Sequence, residues 1–348
     1  MKAIFKAFPA PGIEVREVEA PLPGQGEVLL KVKAASICGS DLHIYHWRKG
    51  YEFLTPYLPV ILGHEFAGEV VEAGPGAAEW NKGDQATAEV ARICGECFYC
   101  KNGKFTLCEK RNVARMGIER NGGMAEYIAV PAASLHRLPR GVSCEEASLT
   151  EPCCVALGAV RRAHIFPGDA AAIIGPGPIG LMALQGARAA GARKVLMAGT
   201  SIDARRLRLA EDLGADRTVD VEKSDPVKAV KEMTDGMGAG AVFEVSGSIA
   251  GVNLALDMVR KGGEVILAGI YSGPVEVAVT QRIVREMKTL RGSFGTTSIL
   301  WDTALELIAS GAIKIKPLIT HRVSIARGEE GFLAADRKEA VKALIIPP

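Results

Sequence analysis

Four cysteines, Cys94, Cys97, Cys100 and Cys108, follow one another with C-x2-C-x2-C-x7-C spacing. Four thiolates so spaced can wrap one tetrahedral Zn²⁺, and a site closed by four protein ligands staples a loop without doing chemistry. A second constellation, built differently, lies upstream: Cys38, then Gly63-His64-Glu65. One thiolate, one imidazole and one carboxylate hold Zn²⁺ while leaving a fourth position open. Two carboxylates compete for the third place, Glu65 beside His64 and Glu151 in Glu151-Pro152. A metal with an open position can bind an alcohol oxygen, lower its pKa and prepare the carbon to lose hydride. Ser40 and His43 stand two and five residues past Cys38. Those positions suit a path for the alcohol proton, Ser40 nearest the substrate and His43 nearer solvent. Taken alone, Cys38 and His64, 26 residues apart, read as a buried thiol and a satisfied histidine. The quartet and a later nucleotide motif change that. His46, His136 and His164 are read as structural, and His321 as a loop or strand histidine without an assigned role.

The hydride needs an acceptor, and Gly175-Pro176-Gly177-Pro178-Ile179-Gly180 is a G-x-G-x-x-G loop that follows an apolar run and opens a helical one. In that context Gly175 makes the tight turn, Gly177 lets the backbone approach a pyrophosphate and Gly180 packs helix on sheet. The helix that starts at Pro178, from Ile179 onward, offers N–H groups to the phosphates. Roughly 20 residues past such a loop, an acid would bind the adenosine 2′-hydroxyl. Here Gly199-Thr200-Ser201 stands instead, with Arg205 and Arg206 nearby. The missing acid and the hydroxyl and guanidinium groups favour NADP over NAD. The competing reading has Asp203 reach the ribose and the two arginines face solvent.

The elements that must position these groups fall into two parts. Residues up to about 150 alternate apolar and polar side chains between Pro- and Gly-bearing turns, a β-rich texture. Beyond 167, strands at 170–174, 194–198, 218–221, 241–245, 264–268 and 289–292 alternate with helices at 178–190, 204–213, 226–234 and 250–259. Such alternation predicts a parallel sheet covered on both faces, the doubly wound fold. The tail adds one helix and strand-like pieces at 315–323 and 341–346, expected to return to the first part. The expected domains are 1–155 completed by 296–348, and 156–295.

Composition excludes other classes. With 42 basic and 40 acidic residues the net charge is +2, giving no footprint for nucleic acid or a membrane surface. A zinc ribbon in a nucleic-acid binder fails on that balance. Apolar runs such as 170–174 and 343–346 are far too short to span a bilayer, and no apolar signal segment follows Met1-Lys2. Eight cysteines, many in ligand positions, suit a reducing compartment, and the expected address is the cytoplasm.

Together, Cys38-Gly39-Ser40-Asp41-x-His43, Gly63-His64-Glu65-x-x-Gly68, the cysteine quartet, Glu151-Pro152 and the 175–180 loop resemble the zinc-containing medium-chain alcohol dehydrogenases, in order and over essentially the whole chain. Glu151-Pro152 and residues 316–322 resemble the polyol (sorbitol-like) branch; residues 41–47 resemble the threonine dehydrogenases. The resemblance implies an α/β protein with a GroES-like β-rich catalytic domain and an inserted Rossmann domain. It implies a catalytic zinc on Cys38, His64 and Glu65 or Glu151, a structural zinc on the quartet, and a relay through Ser40 and His43. It further implies oxidation of a secondary alcohol to a ketone, commonly in a tetramer. The chain departs from NAD-using polyol enzymes at Gly199 and lacks a basic residue after Phe294, where Gly295 stands, which counts against sorbitol itself. Tyr45 and Trp47 are candidates for the pocket wall. Zinc-free quinone or enone reductases share the architecture but lack both cysteine features.

Overall fold

A computed structural model describes residues 1–110 and 114–348. Its strands, in chain order, are β1 Lys2–Lys6, β2 Glu14–Glu17, β3 Glu27–Ser36, β4 Val60–Ile61, β5 Phe66–Ala73, β6 Gln85–Ala88, β7 Tyr127–Pro131 and β8 Leu135–Arg137. After these come β9 Ala170–Ile174, β10 Lys194–Gly199, β11 Arg217–Asp220, β12 Ala239–Glu244, β13 Val259–Leu267, β14 Thr289–Gly292, β15 Ile319–Ser324 and β16 Lys342–Ile346. The chain divides into two compact units. One holds Met1–Pro152, Thr296–Ser310 and Leu318–Pro348; the other holds Cys153–Gly295 and Gly311–Pro317.

In the first unit, β3 is the organising strand. Val28, Leu30 and Val32 alternate inward and are fully buried, the period-two pattern of a strand with one face on a core. It pairs antiparallel with β5, β7 and β16 in a sheet ordered β15-β16-β3-β5-β6-β8, and a smaller sheet runs β2-β1-β4. Antiparallel pairing of β3 with β5 sets the end of one beside the start of the other: Ala35 faces Phe66, and the Ser36 amide donates to the Glu65 carbonyl at 2.8 Å. That register removes the 26-residue separation between Cys38 and His64. β16 adds a third participant, because Leu344 opposite Ser36 sets Lys342 behind the same corner.

The tail carries a second helix, Gly328–Asp336, that the sequence pattern hides. Its Gly331 weakens the helical signal, yet a Cβ there would meet Val323 and Ile37 side chains at 2.9 and 3.0 Å. The glycine lets the helix lie close to its neighbours while Phe332 is fully buried.

The second unit is a six-stranded parallel sheet ordered β11-β10-β9-β12-β13-β14. Its strands are nearly continuous Ala, Val, Leu and Ile because helices cover both faces. The order reverses between β9 and β12, the switch point where doubly wound sheets take ligands. β13 starts earlier than its apolar run suggests, since Val259 pairs with Ala239 before a bulge. Segment Gly311–Pro317 lies with this unit: the Lys314 amide donates to Gln185 Oε1 at 2.7 Å. No helix among the described residues is long and apolar enough to cross a membrane.

Candidate active site

Cys38 ends the β3 connection and caps helix Gly39–Tyr45, while His64 and Glu65 form the turn into β5. One ligand atom from each of Cys38, His64 and Glu65 falls within 4.8 Å of the other two. Glu151, in the first turn of helix Thr150–Val160, lies near but outside that group. Burial pushes its carboxyl up to about 7, with Glu65 and Asp41 adding repulsion against the pull of His64 and Lys342.

The donor set fits a cation. Glu65 is fully buried; Ser36 and Lys342 engage its Oε2, but its Oε1 has no hydrogen-bond partner among the described residues. A buried carboxylate oxygen left without proton or cation costs several kcal/mol, about 1–3 even as a lost hydrogen bond alone. The anionic or acidic groups Cys38, Asp41, Glu65 and Glu151 are set against the single ammonium of Lys342. Burial works to lower the Lys342 pKa, and the charges of Glu65 and Cys38 overrule it and raise it. For His64, burial likewise acts downward, and Asp41 and Cys38 hold its pKa well above the ordinary value. This corner attracts positive charge, and one soft sulfur with one imidazole suits zinc.

Asp41, part of a sequence motif but given no role there, ties the first two ligands together. It is fully buried; Oδ2 accepts from the Cys38 amide at 2.9 Å, and Oδ1 stands 3.6 Å from His64 Nδ1. A carboxylate behind a ligating histidine sets the ring's orientation and tautomer. The signal was present: an acid three residues after a helix N-cap satisfies the cap's own amide.

Ser40 Oγ lies 3.2 Å from His64 Nε2. His43, one helical turn later on the same face, is half-buried and stacks on Tyr51 with ring centroids 5.4 Å apart. Burial lowers its pKa, with Arg48 and His46 adding to the effect, so the ring is neutral at pH 7 and able to accept a proton. Tyr51 carries no sequence signal beyond its aromaticity; only the fold brings it to His43. Tyr45 and Trp47 pack instead of lining this site. Tyr45 donates to Glu329 Oε1 at 3.1 Å and lies against Phe332, and Trp47 sits under the Lys6 ammonium at 5.5 Å. Two residues past His43 on a helix is the opposite face.

The quartet closes as its spacing predicts: all four sulfurs lie within 4.8 Å of one another, with no disulfide. Cys94 Sγ is 3.9 Å from Cys100 Sγ and 3.6 Å from Cys108 Sγ. Four sulfurs about 2.3 Å from one Zn²⁺ stand about 3.8 Å apart, so the cage fits that ion. The Cys94 and Cys97 amides donate to Cys108 and Cys94 sulfurs, each at 3.3 Å, which favours thiolates.

In the second unit β9 runs into Gly175, whose φ of +106° only glycine adopts freely; a Cβ there would meet the Ser246 backbone at 2.9 Å. A Cβ on Gly180 would strike the Gly175 carbonyl at 1.9 Å, whereas one on Gly177 would meet nothing within 4 Å. Gly177 caps helix Pro178–Ala189, with Pro178 in its first turn and Ile179 following. Backbone open to approach at a helix N-terminus fits a pyrophosphate. Gly199 ends β10 under Pro176, where a Cβ would lie 2.7 Å from the proline ring. Asp203 is buried, accepting from the Thr200 hydroxyl at 2.9 Å and from Arg206 at 3.3 Å. Ser201 is also engaged: its hydroxyl donates to Asp220 at 2.7 Å and its amide to Glu222 at 3.1 Å. Lys223 pairs with Asp220 at 2.7 Å, and Arg205 is exposed.

Two family models match the chain, the alcohol dehydrogenase GroES-like domain over residues 24–140 and the zinc-binding dehydrogenase over residues 178–310. The chain belongs to the zinc-containing alcohol dehydrogenase family: it is a zinc-binding, NAD(P)-linked oxidoreductase with a GroES-like part and a Rossmann part. Among curated relatives, a sorbitol dehydrogenase of Halalkalibacterium halodurans is 36% identical, covering 100% of this chain and 99% of its own. An L-threonine 3-dehydrogenase of Pyrococcus abyssi is 39% identical over 95% of this chain and 94% of its own. A zinc-binding dehydrogenase from Sinorhizobium meliloti, solved bound to NADP, has a TM-score of 0.90 at 33% identity and covers 99% of each chain.

Proposed function

We propose that this enzyme oxidises a secondary alcohol in a polyol or hydroxy amino acid to the ketone, with NADP as coenzyme and one catalytic and one structural zinc per chain. The observation that carries the reading is the meeting of Cys38, His64 and Glu65 donor atoms within 4.8 Å, with the Ser40 hydroxyl 3.2 Å from His64 Nε2. Zinc in that corner supplies a Lewis acid for the substrate oxygen, and the nicotinamide supplies the hydride acceptor. Glu65 rather than Glu151 is the third ligand, through Oε1, while Ser36 and Lys342 hold Oε2. Asp41 orients His64. Ser40 takes the alcohol proton and His43, neutral at pH 7, carries it outward. Cys94, Cys97, Cys100 and Cys108 hold the structural ion.

The Met1–Pro152 unit with its tail pieces acts as the catalytic domain, and the parallel-sheet unit as the coenzyme domain. The coenzyme reading rests on Gly199, on an Asp203 already engaged, and on the exposed Arg205 as partner for a 2′-phosphate. The similarity to both a sorbitol dehydrogenase and a threonine dehydrogenase supports a vicinal polar alcohol as substrate. A tetramer in the cytoplasm, where free thiols persist, completes the proposal.

Zinc analysis and a coenzyme titration test it. Wild-type protein should carry two zinc ions per chain; Cys38→Ser and His64→Ala should lose one ion and all turnover while binding NADPH normally. A fully active variant refutes the ligand assignment. Tight binding of NADH alone overturns the reading of Gly199, and Arg205→Ala should weaken NADPH but not NADH. A screen of polyols, threonine and simple secondary alcohols then names the substrate.

A further inference from the structure

Glu244 ends β12 with its side chain fully buried, and every partner it has is a neutral donor. Its Oε1 accepts from the Ser246 amide at 3.0 Å and from the Ser246 hydroxyl; Oε2 accepts from the Gly247 amide at 3.3 Å and from the Tyr271 hydroxyl. Among the described residues no Lys, Arg or His lies within ion-pair distance of it. Buried carboxylates ordinarily have such a partner, because an uncompensated charge in a protein interior is costly.

The position gives that charge a use. In a sheet ordered β11-β10-β9-β12-β13-β14 the first half, β9 to β11, takes the adenosine end, since Gly199 closes β10. The second half, β12 to β14, therefore takes the nicotinamide end. Glu244 stands at the C-terminal end of the first strand of that half. Its partner Ser246 sits against Gly175 of the phosphate loop, where an added Cβ would come within 2.9 Å of the serine backbone. Gly247 is equally close to the loop after β13: a Cβ on it would meet the Ile270 carbonyl at 2.5 Å. Tyr271, from that second loop, reaches back to the carboxylate. One buried carboxyl group thus joins three strand ends at the ligand edge of the sheet.

We infer that Glu244 is a positioning residue whose fixed negative charge makes the coenzyme domain discriminate by ring charge, favouring the positively charged oxidised nicotinamide over the neutral reduced one, with Tyr271 locking the carboxylate in place. The inference rests on the proposed coenzyme role of this unit. As a general magnitude, two unit charges about 10 to 15 Å apart at an effective dielectric near 20 interact by about 1 to 2 kcal/mol, roughly a tenfold change in affinity. Glu244→Gln keeps the shape and an acceptor but removes the charge.

The test is equilibrium binding of NADPH by fluorescence, with NADP⁺ measured in competition, on the zinc-loaded enzyme. Glu244→Gln should weaken NADP⁺ about tenfold while NADPH changes less than twofold, whereas Tyr271→Phe, which retains the charge, should leave their ratio within twofold. A loop that merely loosened would weaken both forms together. Should Glu244→Gln fail to fold, wild-type protein answers the same question against an NADP⁺ isostere with an uncharged benzamide ring, expected to bind about tenfold more weakly than NADP⁺. An unchanged ratio in the variant, or equal affinity for the isostere, overturns the inference. Wild-type protein that binds neither coenzyme form instead overturns the coenzyme role itself.

Discussion

Two glycines two residues apart should fail in opposite ways. Gly175→Ala forces an L side chain to φ +106° and drives its Cβ to within 2.9 Å of the Ser246 backbone. The conformation costs about 1–2 kcal/mol and the overlap about 1–3 more. Together these predict roughly 2–5 kcal/mol, or a fall in Tm of about 4–20 °C for a unit of this size. Gly177→Ala meets neither obstacle: φ is −73° and nothing lies within 4 Å of the added carbon. Lower chain entropy in the unfolded state offsets a slightly poorer helix cap, leaving stability within about 1 kcal/mol of wild type. That methyl group instead occupies the space through which a pyrophosphate meets the helix N-terminus. NADPH affinity should fall at least about tenfold, the worth of one displaced charge-assisted hydrogen bond. Calorimetry of the two variants beside fluorescence titration of NADPH separates the effects. Wild-type NADPH affinity in Gly177→Ala, or an unchanged Tm in Gly175→Ala, refutes the reasoning.

Two further outcomes follow from carboxylates that hold histidines. Asp41→Asn should leave the fold intact yet reduce zinc affinity or turnover by roughly 10–100-fold, because an amide no longer favours the correct His64 tautomer; chelator competition measures it, and a wild-type zinc affinity with wild-type turnover counts against the role given to Asp41. His136 lies between Glu89 at 3.0 Å and Asp302 at 2.7 Å; burial acts to lower its pKa, and those two carboxylates overrule it and raise it. A raised folded pKa means the stabilisation is fully present below about 6.5, the unfolded value, and is lost as pH rises through the folded one. The gap in Tm between wild type and His136→Gln should therefore hold below about pH 6.5 and narrow as pH rises above it; a constant gap across that range refutes the charged pairing.

The sequence by itself carried the chemistry that local spacing can encode. The cysteine quartet lies within one short loop, and G-x-G-x-x-G needs only a strand before it and a helix after it, so both were legible along the chain. The alternation of apolar strands with amphipathic helices likewise announced the parallel sheet, because covering both faces leaves its mark on every strand. What no local pattern contains is register. Pairing of β3 with β5 brings Cys38 to His64 and Glu65, and pairing with β16 brings Lys342, nearly three hundred residues away, behind the same carboxylate. The proximity of Glu65 rather than Glu151 to Cys38 and His64 arises there, as do the hydrogen bonds that Asp203 makes with Thr200 and Arg206. Tyr45 and Trp47 show the reverse. Their aromaticity suggested a pocket wall, but the helix points Tyr45 to its opposite face, and Trp47, just past the helix end, lies under Lys6. Residue types limit which reactions a chain can support, but only the folded backbone sets which of their atoms meet.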